Sequence, residues 1–312
     1  MRIKSSRWLL GIVLAIIVYM VILFFSDFPT LILNFQTVKM EYVYLGFLVV
    51  YASLMITSIR WHIMIRDLGI MVSPKSSMLV YLCGNAFALS PGRLGEVLRS
   101  YYLKRLCNIP VAKTAPTIIV ERFFDVFAIL VIALSAYLLI GANHEVIIFG
   151  YFLLGVFLIL IYQKKYLKKI LDRTKRIPII GKRSKVLLES IDVIHILLRP
   201  KIFVKIFLLS ILAWIFESLV VYFALKAFDI NLSIIKSAFI QVTSTLIGSA
   251  TFLPGGIGAT EGGLIGFFLL EGIPYNDAVG PVLLVRIIVL WSIIIVAIII
   301  NCIVEATVLK NK

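Results

Sequence analysis

Acidic residues are scarce in this chain: 16 Asp and Glu stand against 31 Lys and Arg, and charged residues of both signs make up only 15% of it. A soluble globular domain carries about a quarter of its residues charged, so that class is excluded. Cysteine is scarcer still. Cys83, Cys107 and Cys302 are odd in number and scattered, without a CxxC or Cys/His spacing, which speaks against a metal site and a disulfide framework. His62, His144 and His195 are isolated. There is no HExxH, no Ser/His/Asp set, no nucleotide-binding glycine loop and no soluble acceptor domain, so no catalytic residue, metal ligand or cofactor is assigned.

What is present is hydrocarbon. An apolar content of 61% and a mean hydropathy of +1.06 over 312 residues mark an all-α polytopic membrane protein. The net charge of +15 does not indicate nucleic acid, because the basic residues fall in short segments between long apolar runs, as cytoplasmic loops do.

Taken in order, residues 8–25 form a first span, retained rather than cleaved, with Arg2, Lys4 and Arg7 placing the N-terminus in the cytoplasm. Residues 27–41 make an external loop. Residues 42–59 return inward to Arg60, Arg66 and Lys75. The run 78–89 is about 18 Å of helix against a hydrocarbon core of about 30 Å. It is too short to cross. Residues 93–113 are basic as well, so both flanks of that run are cytoplasmic and it reads as a re-entrant hairpin with its tip at Ser90-Pro91-Gly92. Spans at 116–140 and 146–162 come next, with a turn at 141–145.

The loop 163–201 holds twelve Lys and Arg against three acids; it is cytoplasmic and suited to attract anionic lipid. Residues 202–225 cross outward, and 234–253 and 264–270 flank a break at 254–263. Residues 281–300 return to Glu305, Lys310 and Lys312, leaving the C-terminus on the cytoplasmic side of the cell membrane as well. The second broken element is then a hairpin from the external face.

The two breaks are the most informative stretches. Ser90 to Arg99 reads SPGRLGEVLR and Pro254 to Gly263 reads PGGIGATEGG. Pro ends a helix and Gly permits positive φ, so Pro91, Gly92, Gly95, Pro254, Gly255, Gly256 and Gly258 are helix-break residues. At membrane depth such backbone is tolerated only where it is buried in protein or lines a wet cavity. The expectation is one membrane domain of about six full spans plus two broken hairpins, in an inverted repeat of 1–162 and 202–312 joined by the basic loop. Pro91 precedes Glu121 and Arg122 by 30 and 31 residues and Pro254 precedes Arg286 by 32. Repeats of this kind place the site of a transporter where the breaks meet.

Ionisable groups inside spans cost about 2.5 to 3.5 kcal/mol each on insertion scales and are functional candidates. Here they are Arg93, Glu96, Arg99, Glu121, Arg122, Asp125, Glu217, Glu261 and Arg286. Two readings stay open for them: ion pairs that hold the hairpins, such as Glu121, Arg122 or Asp125 with Arg93 or Arg99, or groups that meet a substrate. Glu217, Arg286 and Glu261 are placed to pair in the outer half. Ser237, Thr243, Ser244, Thr245, Ser249 and Thr251 serve helix packing or line a groove.

On Pro91-Gly92-Arg93-Leu94-Gly95-Glu96 with Arg99, Glu121-Arg122 with Asp125, Trp214 with Glu217, and Pro254-Gly255-Gly256-Ile257-Gly258 with Glu261 and Gly262, the chain resembles the family named for the transmembrane region of lysylphosphatidylglycerol synthase, also described as flippase-like integral membrane proteins. The resemblance covers nearly the whole chain. It implies an eight-element membrane bundle that moves an aminoacylated phospholipid such as lysyl-phosphatidylglycerol between leaflets. Bifunctional members carry a further aminoacyltransferase domain; this chain stops at Lys312, so no aminoacyl transfer is expected from it alone. The leading expectation is a lipid translocase for a phospholipid or polyprenyl-linked lipid, with the arginines meeting phosphate and the carboxylates a cationic headgroup. The alternatives are a membrane-embedded lipid-modifying transferase and a scaffold for a transferase partner.

Overall fold

The computed structural model describes residues 6–90, 95–141, 145, 148, 150–152, 155 and 184–306, with 6–10, 12 and 184–190 described by backbone alone. Every regular element among them is helical. In hydrocarbon a helix satisfies its own N–H and C=O groups, and the apolar runs of this sequence permit little else. In chain order the helices are α1 (Ser6–Phe24), α2 (Phe28–Gln36), α3 (Met40–Asp67), α4 (Pro74–Asn85), α5 (Leu98–Cys107), α6 (Val111–Leu139), α7 (Ser184–Leu197), α8 (Pro200–Ala227), α9 (Ile234–Ala250), α10 (Ala259–Leu270), α11 (Tyr275–Arg286) and α12 (Ser292–Val304). A π-turn at Ile287–Trp291 joins α11 to α12.

Helices α3, α8 and the continuous Tyr275–Val304 unit are long and apolar enough to cross a bilayer, and α1 with α2, bent by 98°, makes a fourth if the pair is one span. Helix α6 is as long, at 29 residues, but carries Lys113, Glu121, Arg122 and Asp125. The expected span at 146–162 lies almost entirely outside the described residues. Several boundaries differ from those expected. The segment 27–41 holds a helix, α2, whose N-terminal Pro29 suits a first turn. Helix α3 runs eight residues past Ile59, so Arg60 lies inside it rather than on its flank. Helix α6 begins before Pro116 and contains it; the missing N–H removes one intrahelical bond without ending the helix.

The long helices α3 and α8 pack against each other in opposite directions. The backbone N–H of Lys39, just before α3, donates to the carbonyl of Ala227 at the end of α8. Arg60, late in α3, meets Ser210, early in α8. Both helices end in the same way. Asp67 and Ala227 close them, Gly69 (φ +76°) and Asp229 (φ +61°) turn the chain, and Ser73 and Ser233 cap α4 and α9. Each cap oxygen accepts the backbone N–H three residues on, at 3.1 and 3.2 Å. These pairs share an offset of 160, as 67 with 227, 69 with 229 and 73 with 233.

After the breaks the offset is 164. Asn108 (φ +58°) and Gly272 (φ +80°) end α5 and α10, and Pro110 and Pro274 then open α6 and α11. The chain is thus an inverted repeat at backbone level, with four more residues in its second break. The breaks meet in the middle, where Ala88 and Leu89 share an apolar cluster with Ile257, Leu290 and Ile294. Helix α1 lies across that meeting point: a Cβ on Gly11 would stand 3.3 Å from Pro254 Cβ and 3.4 Å from the carbonyl oxygen of Leu89.

Small residues let α9 and α10 fold back on each other. A Cβ on Gly263 would stand 3.1 to 3.2 Å from the Oγ, Cα and Cβ of Ser244, whereas one on Gly262 would meet nothing within 4 Å. Gly263→Ala is therefore expected to destabilise the protein by about 1 to 3 kcal/mol. Gly262→Ala is expected to be neutral or stabilising by up to about 1 kcal/mol, through helix propensity alone. Thermal unfolding of the two variants in one detergent checks the contrast.

Candidate functional site

The first break is fixed by short contacts. Ser90 Oγ accepts the backbone N–H of Gly95 at 2.6 Å and donates to the carbonyl of Phe87 at 2.8 Å. A side chain at Gly95 would press on Phe87 and Ser90, so glycine is required there. Pro91, Gly92 and Arg93 lie outside the described residues. Just beyond, Glu96, two residues ahead of α5, and Arg99 in its first turn are both fully buried.

These two meet a set of charges from α3 and α6. Arg99 Nη1 lies 2.7 Å from Glu121 Oε2, and its Nη2 lies 3.0 Å from Glu96 Oε2. Its guanidinium also stacks over Tyr81, 4.1 Å from the ring centroid, a cation–π contact. Arg60 Nη1 donates to Asp125 Oδ1 at 2.6 Å and to Ser210 Oγ at 2.7 Å, and its Nη2 reaches Glu121 Oε1 at 3.4 Å. Arg122 Nη2 lies 3.0 Å from Asp125 Oδ2 and 3.5 Å from Glu96 Oε2. Trp214 of α8 donates its indole N–H to Asp125 Oδ1 at 3.3 Å.

Three arginines and three carboxylates thus neutralise one another. Arg60, Arg99, Glu96 and Glu121 have no side-chain exposure, whereas the Arg122 side chain is 30% exposed. The i,i+4 spacing of Glu121 and Asp125 puts both on the face of α6 that receives α3 and α5.

The second break makes a smaller arrangement. Gly255, Gly256 and Gly258 all have positive φ, from +62° to +91°, as the tight turn requires. Glu261 caps α10 by accepting the backbone N–H of Gly258 at 2.8 Å, and it accepts the hydroxyl of Tyr19 from α1 at 3.2 Å. Arg286 Nε donates to Glu261 Oε1 at 2.7 Å, and its Nη2 donates to the carbonyl of Gly255 at 2.9 Å. Arg286 thereby ties the end of α11 to the break itself.

Between the two sets lies a cavity of about 400 Å³. Arg60, Arg122 and Asp125 form one side; Glu217, Gln241, Thr245, Ser249, Thr260 and Arg286 add polar groups elsewhere on the wall, and aliphatic residues such as Val126, Leu246 and Val289 complete it. Arg122 and Arg286 are equivalent in the repeat, at the offset of 164. The lining is amphipathic: charged groups aimed at a space whose remaining walls are hydrocarbon. Among the described residues no group of three or more His, Cys, Asp or Glu is placed to hold a metal ion.

Of the residues singled out in the sequence, Arg122, Asp125, Glu217 and Arg286 line the cavity, whereas Glu96, Arg99, Glu121 and Glu261 stand behind its wall as partners. Of the pairings left open, Arg99 with Glu121 and Arg286 with Glu261 are formed. Arg60 is the residue that sequence reasoning misses. Its position after an apolar run imitates a cytoplasmic flank, and only the helical phase continuing through Trp61, Met64 and Ile65, all buried, signals that the helix has not ended.

The chain is similar in sequence to known membrane proteins. The profile of the family described as "Lysylphosphatidylglycerol synthase TM region" matches residues 8–297. The UPF0104 membrane protein MJ1078 of Methanocaldococcus jannaschii is 29% identical over 235 residues, covering 72% of this chain and 96% of that protein. A UPF0104 membrane protein of Methanothermobacter thermautotrophicus is 26% identical over 282 residues, covering 81% of this chain and 82% of its own length. The UPF0104 membrane protein PH1989 of Pyrococcus horikoshii is 21% identical over 308 residues, covering 90% and 92%.

Removing one partner of a buried ion pair strands the other, at a cost of about 3 to 5 kcal/mol. Arg99→Leu and Glu121→Leu are each expected to lose that much stability. The double variant is expected to lose less than the two single losses together, because the stranded charge is gone. A double-mutant cycle of thermal unfolding in detergent reads this coupling; strict additivity would show that the 2.7 Å contact contributes nothing.

Proposed function

Since the chain belongs to the lysylphosphatidylglycerol synthase transmembrane-region family, we propose that it is a lipid translocase, carrying the headgroup of a phospholipid or polyprenyl-linked lipid between leaflets through the central cavity. The acyl chains stay in the bilayer, so the headgroup alone needs a polar path. The observation that carries this reading is the position of the cavity. It lies against both helix breaks of an inverted repeat, between Arg122 and Arg286, in the place where such repeats hold a substrate.

The physical requirements of the task match the lining. A headgroup in hydrocarbon loses its water, and each polar atom left without a partner costs several kcal/mol. The arginines, carboxylates, amide and hydroxyls of the lining replace that water. The aliphatic stretches beside them suit the glycerol or isoprenoid segment next to the headgroup. A cavity of about 400 Å³ falls within the range of about 300 to 1,000 Å³ usual for small-ligand sites.

Thr245 lines the cavity, whereas Ile119 on α6 is 60% exposed on the outside of the bundle. In proteoliposomes the purified protein is expected to speed the crossing of at least one fluorescent lipid among phosphatidylglycerol, its lysyl ester and a polyprenyl phosphate. Thr245→Trp, which fills the cavity without removing a charge, is expected to abolish that gain, and Ile119→Trp to leave it intact. Loss of fluorescence to a membrane-impermeant quencher measures crossing. No acceleration of any of the three lipids by folded protein would refute the translocase reading.

A further inference from the structure

A ligand reaches the cavity only where the cavity meets the outside, and exposure along the lining shows where that is. Of the residues that line it, Ser249, Ala250, Phe252 and Leu253 are exposed, and all the others are buried or half-buried. The four belong to one run, 249–253, which is exposed throughout. The mouth is therefore a single stretch of chain, where α9 ends and the second break begins. The repeat shows how the chain comes to be there. Helices α4 and α9 start in register after the caps Ser73 and Ser233, but α4 has 12 residues and α9 has 17. Asn85, the last residue of α4, corresponds to Thr245 at the offset of 160, so the rest of α9 has no helical counterpart in the first half. That added length carries the chain to the mouth.

The run is anchored at both ends and tied only to itself between them. Upstream, Gly248 is buried and packs so closely on α10 that a Cβ there would overlap the hydroxyl of Thr260. Downstream, Pro254 is buried beside Gly11 of α1, and the carbonyl of Gly255 accepts Arg286 Nη2 at 2.9 Å. Between these anchors the Phe252 N–H donates to the carbonyl of Ser249 at 3.3 Å and the Leu253 N–H to Thr251 Oγ1 at 3.4 Å, both longer than the usual N–H···O distance. Among the described residues no hydrogen bond joins the run to another helix. Phe252 stands at φ +54°, a left-handed backbone that a bulky residue seldom adopts and that marks strain. It lines the cavity and is 72% exposed, so it stands between the interior and the outside.

We infer that residues 249–253 form a flap over the mouth of the cavity, swinging between the anchors at Gly248 and Pro254, with Phe252 as the side chain that closes the way in. This rests on the translocase reading and adds to it the residue that controls entry. Opening returns the backbone of Phe252 to an ordinary region of φ, so the strain held in the closed turn favours opening and offsets the loss of the ring's contacts with the wall. The flap also gives the asymmetry of the repeat a use: the longer α9 puts a movable closure on one break, while the first break is held by the charges around Arg99.

The test is access to the cavity, measured apart from transport. The exposed thiols Cys107 and Cys302 are replaced by Ser, and Thr245→Cys places a thiol on the cavity wall. Its modification by N-ethylmaleimide, a small neutral reagent, is followed by mass in nanodiscs, with the same protein lacking the Thr245 substitution as the blank. Phe252→Ala is expected to raise the rate at least about tenfold, equivalent to about 1.4 kcal/mol of closure. Phe252→Gly is expected to raise it too, in a chain for which a positive φ carries no penalty and folding is not at risk. Leu270→Ala, at an exposed apolar residue outside the lining, is expected to leave it unchanged. A wild-type rate in both Phe252 variants would overturn the flap. So would a thiol at position 245 that reacts, with Phe252 in place, as fast as the exposed Cys107 does in the native chain. Faster modification in a protein that moves no lipid would keep the flap and remove the translocase. Lipid crossing with a modification rate indifferent to Phe252 would do the reverse.

Discussion

Everything in this membrane protein is arranged around a buried electrostatic problem: six full charges, five on α3, α5 and α6 and Glu96 just ahead of α5, sit where water does not reach most of them. Each would be prohibitive alone, and an ion pair out of water roughly breaks even only when its geometry is good and its remaining atoms are hydrogen-bonded. Here the arginines are shared between carboxylates, so that Arg60, Arg99 and Arg122 each touch two. Sharing has a geometric consequence. Helix α5 must stand where its Arg99 meets Glu121 of α6, and α3 must bring Arg60 between α6 and Ser210 of α8. The first break is thereby held from three sides. Gly84 allows it, since a Cβ there would fall on the Arg99 side chain.

How much of this is visible in the sequence depends on the length scale of each cause. The membrane class, the two helix breaks and the inverted order of the halves follow from composition, Pro-Gly punctuation and the spacing of charges, all local or one-dimensional. Glu121 with Asp125 announces a buried charged face through i,i+4 spacing alone. The partners do not announce themselves: Arg99 reaches Glu121 across 22 residues and Trp214 reaches Asp125 across 89. Arg60 is hidden for another reason, because an arginine after an apolar run has the same sequence signature whether it ends a span or is swallowed by one. The segment after Ser26 is legible only as a loop. Its helix α2 is short and takes its place by packing on α11.

The register of the repeat is the clearest case of structure adding to sequence. Few side chains match between the halves, yet the turns do. Gly69 pairs with Asp229 and Asn108 with Gly272 in the left-handed region, a conformation that Gly, Asn and Asp adopt most readily. Backbone geometry is retained with whichever of these residues serves, so the repeat persists in φ angles and caps after it has faded from the letters. The spacing of 160 before the breaks and 164 after them makes Arg122 and Arg286 equivalent, which a count from Pro91 and Pro254 brings within one residue.

Side chains then break the symmetry that the backbone keeps. At the offset of 164, Glu121 and Asp125 correspond to Val285 and Val289, so the second half has no counterpart of the three-arginine network. Its break is tied instead by one ion pair, one carbonyl and a hydroxyl from α1. Three of the charged residues that line the cavity, Arg60, Arg122 and Asp125, come from α3 and α6, while Glu217 of α8 and Arg286 of α11 stand among apolar residues such as Val285 and Val289. A guest with uniform polarity would match only part of such a wall. One with an ionic end and an apolar remainder matches both parts at once, which is the physical ground for the lipid reading proposed above.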